Sequence, residues 1–203
     1  MKLLLATKNK AKIKHYGKFL QEHGIELLYL NDISTDIEVD ETGNTPIQNA
    51  VQKASSYFKI TGIPTLALDE GLFFEGVPSN VQPGTHVRRY QGKRLNDKEM
   101  IEHYISLVNQ YGKNGLLPGY FLYGCAIANG EIYTHQYRSN RLFTNSQSKI
   151  VEEGYPLDSI QIIESIKKFK SELTKDEEET ILKEEQQELL TFVSNFISRK
   201  EKI

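Results

Sequence analysis

The sequence predicts an α/β fold with a mixed central sheet flanked by helices. Three observations carry this. The chain opens as strand, polar loop, helix and strand, the order of an α/β layer. Two helices are announced by capping boxes, Thr45-Pro46-Ile47-Gln48 and Asn96-Asp97-Lys98-Glu99, each followed by apolar residues at helical spacing. Asn129-Gly130, set between two apolar segments, marks a hairpin and so adds antiparallel strands.

In chain order, Lys2 to Ala6 reads as a short buried strand and Thr7 to Lys10 as a polar loop. Ala11, Tyr16, Phe19 and Leu20 are the apolar positions of a first helix that Gly24 ends, and Ile25 to Leu30 is a second strand. Asn31 to Asn44 is polar and acidic, hence loop. The Thr45-capped helix carries the stripe Ile47, Ala50, Val51, Ala54, Phe58 and stops at Gly62-Ile63-Pro64. Thr65 to Leu68 is a short apolar strand ending at Asp69-Glu70-Gly71. Gly76 to Gly92, rich in Gly and Pro, is an ordered surface loop. The next helix places Met100, Ile101, Tyr104, Leu107, Val108 and Tyr111 on one stripe. Tyr120 to Ala128 and Glu131 to Tyr137 are the hairpin strands, Arg138 to Tyr155 is loop-like, and Ser159 to Ile163 reads as a strand. Thr174 caps a last helix with Leu182, Leu189, Val193, Phe196 and Ile197 apolar and an acidic run from Asp176 to Glu188.

The 203 residues suit a single domain over 1–203, long enough to bury a core without disulfides. The net charge of −2 gives no global field toward nucleic acid or an anionic membrane, so neither is an expected partner. An anionic ligand must instead meet a local cluster of positive groups. Cys125 is the only cysteine, which suits a reducing compartment. The apolar start before Lys8 is too short for a signal peptide or a membrane span, and the expected location is the cytoplasm.

Four places carry candidate chemistry. Thr7-Lys8-Asn9-Lys10-Ala11-Lys12 lies where a strand gives way to a helix, a natural phosphate site. The same residues also read as a lysine-rich helix start with Asn9 as a plain cap. Glu41-Thr42-Gly43 stands before the second helix, in a stretch with Asp36, Glu38 and Asp40. Its carboxylate suits Mg²⁺ or simply the helix dipole. Lys53, off the apolar stripe, reads from context alone as a surface lysine. Asp69-Glu70 follows a strand, where α/β sheets place ligands and where metal-assisted phosphoryl chemistry needs carboxylates; Asp and Gly equally suit a tight turn. Arg88-Arg89-Tyr90 can clamp phosphates, face a partner subunit or lie in solvent. The histidines show no zinc spacing, and no nucleophile elbow is present.

Together these motifs resemble the inosine triphosphate pyrophosphatase family, in order over nearly the whole chain. Its Thr-x-Asn-x-x-Lys opening is matched by Thr7, Asn9 and Lys12. Its Glu-Thr-Gly and following helix lysine are matched by Glu41-Thr42-Gly43, Asn49-Ala50 and Lys53-Ala54. Its Asp-Asp-Ser-Gly-Leu segment resembles Leu68-Asp69-Glu70-Gly71-Leu72. Its Ala-Arg-Tyr-x-Gly loop resembles Arg88-Arg89-Tyr90-Gln91-Gly92 after Pro83-Gly84. Its Phe-Gly-Tyr-Asp-Pro motif resembles Tyr155-Pro156-Leu157-Asp158-Ser159, and its Ala-Glu-Leu resembles Ser171-Glu172-Leu173.

The resemblance implies an elongated α/β fold of two lobes around a cleft, a homodimer, and Mg²⁺-dependent cleavage of noncanonical purine nucleoside triphosphates to monophosphate and pyrophosphate. It implies that Thr7, Asn9, Lys12 and Lys53 hold the substrate's phosphates; Lys8, Glu70 and Arg89 are further substrate-binding candidates, Glu70 as partial compensation for the carboxylate missing at Leu68. It assigns Glu41 and Asp69 to the metal, Asp69 also to the attacking water, and Tyr155, Asp158 and Lys183 to the base end. The sequence departs from the family at Leu68, where an aspartate is usual, at His15 and Gln48, where glutamates are usual, and near Glu178 and Leu182-Lys183-Glu184, where the family's late Lys and Ser-His-Arg triplet are absent. Ionised glutamates cannot donate to a purine oxygen. The resemblance therefore implies a kept phosphate end and a rebuilt base end. A catalytically inactive nucleotide-binding relative, or an interaction protein that keeps only the fold, are the alternatives.

Overall fold

The computed structural model describes residues 1–33 and 39–200. Asp36 and Glu38, expected in the acidic loop, lie outside the described residues. The fold is a mixed α/β architecture around a seven-stranded sheet of order β2-β1-β3-β6-β7-β8-β9. β1 (Lys2–Leu5) pairs in parallel with both β2 (Glu26–Tyr29) and β3 (Thr65–Phe74). β6 (Leu116–Ala128) and β7 (Ile132–Thr144) flank the Asn129-Gly130 turn, where Gly130 takes φ 76°. β8 (Gln161–Ile163) and β9 (Lys168–Phe169) extend the sheet in antiparallel fashion. A separate two-stranded ribbon joins β4 (Arg89–Tyr90) to β5 (Lys93–Arg94).

The chain divides into two compact units. The first comprises Met1–Glu70, Tyr123–Tyr137 and Leu182–Ile203. One face of its sheet is lined by Leu4, Ala6, Ala67, Ala126 and Ala128 and meets Ala50, Ala54 and Tyr57 of α3 (Pro46–Thr61). The small side chains let α3 lie close to the strands: a β-carbon added at Gly124 would come within 2.5 Å of the Ile47 nitrogen. The other face carries Leu3, Leu5, Leu66, Leu68, Cys125 and Ile127. It packs on Tyr16 and Leu20, and on Leu189, Val193 and Phe196 of α5 (Lys175–Lys200). Burial pushes the Cys125 thiol up to about 12, so the cysteine packs as an apolar group at neutral pH. The first helical run has three parts: α1 (Lys10–Lys12), a π-helical turn (Ile13–Gly17) and α2 (Lys18–Glu22). The Gln186 amide donates to the His15 carbonyl within that turn at 3.1 Å.

The second unit, Gly71–Leu122 and Arg138–Ile181, has its own core. Met100, Ile101, Tyr104, Leu107 and Val108 of α4 (Asp97–Tyr111) pack on Leu72, Phe74, Leu117 and Phe143, with Leu157 and Ile160 of a 3-10 turn (Pro156–Ile160). Arg88 and Asp97 tie its loops: the guanidinium donates to the Asp97 carboxylate at 2.6 Å and to the Gly154 carbonyl at 2.8 Å.

Three expectations are corrected. β3 does not end at Leu68 but runs on through Asp69-Glu70-Gly71 to Phe74. The turn-like composition is overridden because Leu72 and Phe74 are buried beyond it, and because Leu72 exchanges backbone hydrogen bonds with Gly84 at 2.9 and 3.0 Å. Residues 138–144 are strand, not loop. There, Arg138 and Arg141 lie over the Tyr120 and Phe121 rings of β6, which makes charged residues good strand partners. Residues 159–160 belong to the 3-10 turn, and the strand begins at Gln161.

Candidate active site

Site geometry begins at the start of α3. Thr45 caps the helix and Gln48 completes the box, its side-chain oxygen accepting from the Asn44 and Thr45 N–H groups at 2.8 and 3.2 Å. Two further helix residues hold the preceding Glu41-Thr42-Gly43 turn. The Gln52 amide donates to the Thr42 hydroxyl at 2.9 Å and accepts from the Thr42 N–H at 3.2 Å. The Asn49 amide oxygen accepts from the Gly43 N–H at 2.8 Å. A side chain at position 43 would strike that oxygen, 2.7 Å from an ideal β-carbon, so glycine is required there.

The turn is thereby fixed with Glu41 beside Lys53. The Lys53 ammonium donates to Glu41 Oε1 at 3.0 Å and to the Leu68 carbonyl at 3.1 Å, and lies 3.5 Å from Asp69 Oδ1. Asp69 Oδ2 accepts from Asn49 Nδ2 at 2.9 Å. Read in isolation, Lys53 was expected on the surface. It is instead only 9% exposed, because the alanine face of α3 lies so near the sheet that the neighbouring positions 49 and 53 are also covered. A buried ammonium needs counter-charge, and Glu41 and Asp69 supply it.

The N-terminal loop forms a second group. The Thr7 hydroxyl accepts from the Asn9 N–H at 3.1 Å, and Asn9 Oδ1 accepts from the Lys12 N–H at 3.4 Å. Asn9 is thus a helix cap in this structure, and Lys8 is exposed. Lys12 lies 3.8 Å from Glu70 Oε1, next along β3 from Asp69. Around the Asp69-Glu70 step, three carboxylates face two ammonium groups.

Arg89, Tyr155 and Asp158 belong to the second unit. Arg89 is exposed on the β4–β5 ribbon, and Tyr155 is 42% exposed before the 3-10 turn. The Asp158 carboxylate is engaged by Lys170 at 3.2 Å. Lys183 is exposed on α5 in the first unit.

The sequence profile of the Ham1 family matches residues 3–183. The chain belongs to the Ham1 family. This is the family to which the inosine triphosphate pyrophosphatase motifs pointed. Among Ham1 relatives, a dITP/XTP pyrophosphatase of Leptospira interrogans is 30% identical over 196 residues, 94% of this chain and 96% of that protein. One of Bacillus subtilis is 27% identical over 183 residues, 88% of each. The HAM1 protein structure from Coxiella burnetii shares the fold, with a TM-score of 0.76 over 98% of this chain and 99% of that one, at 24% identity.

Against this Ham1 background the Leu68 departure gains a structural account. The Leu68 side chain is 5% exposed in the apolar cluster with Leu66, Cys125, Ile127 and Leu189, on the sheet face opposite α3. A Leu68→Asp variant would set a carboxylate among apolar groups. It is expected to lose about 3 kcal/mol or more of stability in urea denaturation. A loss under about 1 kcal/mol would mean that this carboxylate finds a polar partner or solvent, since an unsatisfied one costs more than that. The residue that sequence reasoning passed over is Asn49: its place on the helix was matched, but nothing in the spacing showed that it would bridge Gly43 and Asp69.

Proposed function

We propose that this Ham1-family chain is a Mg²⁺-dependent nucleoside triphosphate pyrophosphatase. It hydrolyses noncanonical purine nucleoside triphosphates to the monophosphate and pyrophosphate, with an altered base pocket. Residues 1–203 act as one functional domain, in a cytoplasmic homodimer. The observation that carries the reading is the gathering of Glu41 and Asp69 around one buried ammonium, Lys53, in a chain matched almost end to end by a protein named dITP/XTP pyrophosphatase.

The donor set fits Mg²⁺. Among the described residues no three His, Cys, Asp or Glu side chains form a cage. Mg²⁺ typically takes only one or two protein carboxylates and completes its shell with water and phosphate. Glu41 and Asp69 would hold it. The local charge argues the same way: around the Asp69-Glu70 step three carboxylates outnumber two ammonium groups, so a polyanion that settles beside them needs a cation with it. When bound, the ion supplies Lewis-acid stabilisation of the phosphate oxygens.

The chain's own groups do the rest. Lys12 and Lys53 exchange their carboxylate partners for phosphate oxygens and offset charge on the departing pyrophosphate. Thr7, Lys8 and Asn9 complete the first unit's phosphate contacts, Arg89 is the second unit's candidate phosphate ligand, and Glu70 stands in part for the carboxylate missing at Leu68. Asp69 orients the attacking water and takes its proton as the α–β anhydride bond breaks. Tyr155 stacks on the base, and Asp158 and Lys183 stand at the base end, where loss of the family's donor triplet changes base choice.

The test is pyrophosphate release from ITP, XTP, dITP, dUTP and the standard nucleotides with and without millimolar Mg²⁺. Release from inosine or xanthosine triphosphate, abolished by chelation, is the expected result. Triphosphate binding without turnover on any nucleotide would overturn the catalytic reading.

A further inference from the structure

Asn49 is 2% exposed, and its amide joins two parts of the site. Its oxygen takes the Gly43 N–H at 2.8 Å and its nitrogen gives to Asp69 Oδ2 at 2.9 Å. The orientation admits no flip. A backbone N–H can only donate and an ionised carboxylate can only accept, so each end of the amide is committed. Gly43 lies two residues from Glu41, in a turn that Gln52 also clamps through Thr42. Asn49 therefore sets the spacing between the Glu41 turn and the Asp69 carboxylate.

The two Asp69 oxygens are unequal. Oδ2 faces a neutral, buried donor that is hydrogen-bonded at both ends. Oδ1 faces an ammonium at 3.5 Å, on a side chain shared with Glu41 and the Leu68 carbonyl. A phosphate can draw Lys53 away; nothing comparable draws Asn49 away. We propose that Asn49 is a positioning residue that pins Oδ2, leaves Oδ1 as the working oxygen of Asp69, and holds the Glu41 turn in register with it, so that turnover rather than substrate affinity depends on this amide. The inference rests on the reading of the site given above.

The experiment compares steady-state kinetics and thermal melts of the wild type, Asn49→Ala, Asn49→Asp and Gly43→Ala. Asn49→Ala is expected to lower kcat by about ten- to hundredfold, as loss of supporting hydrogen bonds does elsewhere. KM should stay within about threefold, since uniform binding is untouched. Gly43→Ala, whose new methyl meets the Asn49 oxygen, should reproduce the kcat loss from the other side of the joint. Mn²⁺ affinity, measured by electron paramagnetic resonance with a non-hydrolysable triphosphate analogue present, should fall in parallel.

A folded Asn49→Ala with wild-type kcat overturns the inference, as does a rise in KM alone. If Asn49→Ala loses its cooperative melt, Asn49→Asp decides: it keeps the acceptor for Gly43 but lacks the donor for Asp69, and a wild-type kcat there overturns the inference. A wild type that releases no pyrophosphate overturns the reading of the site, and this inference with it.

Discussion

Replacing Asp69 by asparagine is expected to lower pyrophosphate release by about two to four orders of magnitude, the span typical of a lost general base. The change is nearly isosteric, so the loss would be chemical. Asp69 is 8% exposed; its Oδ2 accepts from the Asn49 amide, and its Oδ1 is ion-paired with the Lys53 ammonium, a second donor group, at 3.5 Å. Asparagine offers one acceptor in place of two, and its amide nitrogen must face one of those donors. Some stability goes with it, about 1–3 kcal/mol for a buried hydrogen-bonding mismatch. A thermal melt run beside the assay separates the two effects: a folded variant with wild-type turnover would remove Asp69 from the chemistry.

Lys53→Met is expected to change metal and nucleotide binding in opposite directions. In the free protein the ammonium is the counter-cation of Glu41 and Asp69. Methionine keeps the apolar stem and removes the charge, leaving two carboxylates to repel each other. Removing one partner of a buried pair costs about 3–5 kcal/mol. Glu41 is about half exposed and water screens part of that repulsion, so the expected loss is nearer about 2 kcal/mol. Divalent cations should restore it. Millimolar Mg²⁺ or Mn²⁺ should raise the melting temperature of the variant more than that of the wild type, in the absence of nucleotide. Triphosphate affinity should fall by about tenfold or more, the worth of a hydrogen bond to a charged group. Equal metal responses in the two proteins would show that Glu41 and Asp69 do not form a cation site.

What the sequence revealed and what it hid follow one physical line. The starts of α3, α4 and α5 were legible because caps are local: Thr45 with Gln48, Asn96 with Glu99 and Thr174 with Glu177 each close a box within four residues. Strand ends were not, because they depend on partners far along the chain. Pro118-Gly119 has the composition of a breaker yet lies inside β6. The Pro118 carbonyl accepts from the Glu75 N–H at 2.9 Å, and Gly119 passes against the Phe73 carbonyl, where a β-carbon would sit at 2.7 Å. The β4–β5 ribbon turns on Gln91 and Gly92 with φ 49° and 79°, a left-handed pair that Gln-Gly advertises far less than Asn-Gly does. The candidate site was half legible. The motif order located Glu41, Lys53 and Asp69, but the burial of Lys53 follows from Ala50 and Ala54 thinning the helix–sheet contact.

The first unit is assembled from three stretches of chain, and its apolar face over β1 and β3 is closed by Leu189, Val193 and Phe196. A ribosome makes about 5–20 residues per second. Roughly ten to forty seconds therefore separate the synthesis of Leu5 from that of Leu189. Until then Leu3 and Leu5, joined later by Leu66 and Leu68, lack the helix α5 that packs on them. The strands that carry the candidate site are made early and covered by α5 last, so it is in the nascent chain, rather than the finished protein, that part of this apolar face stays open.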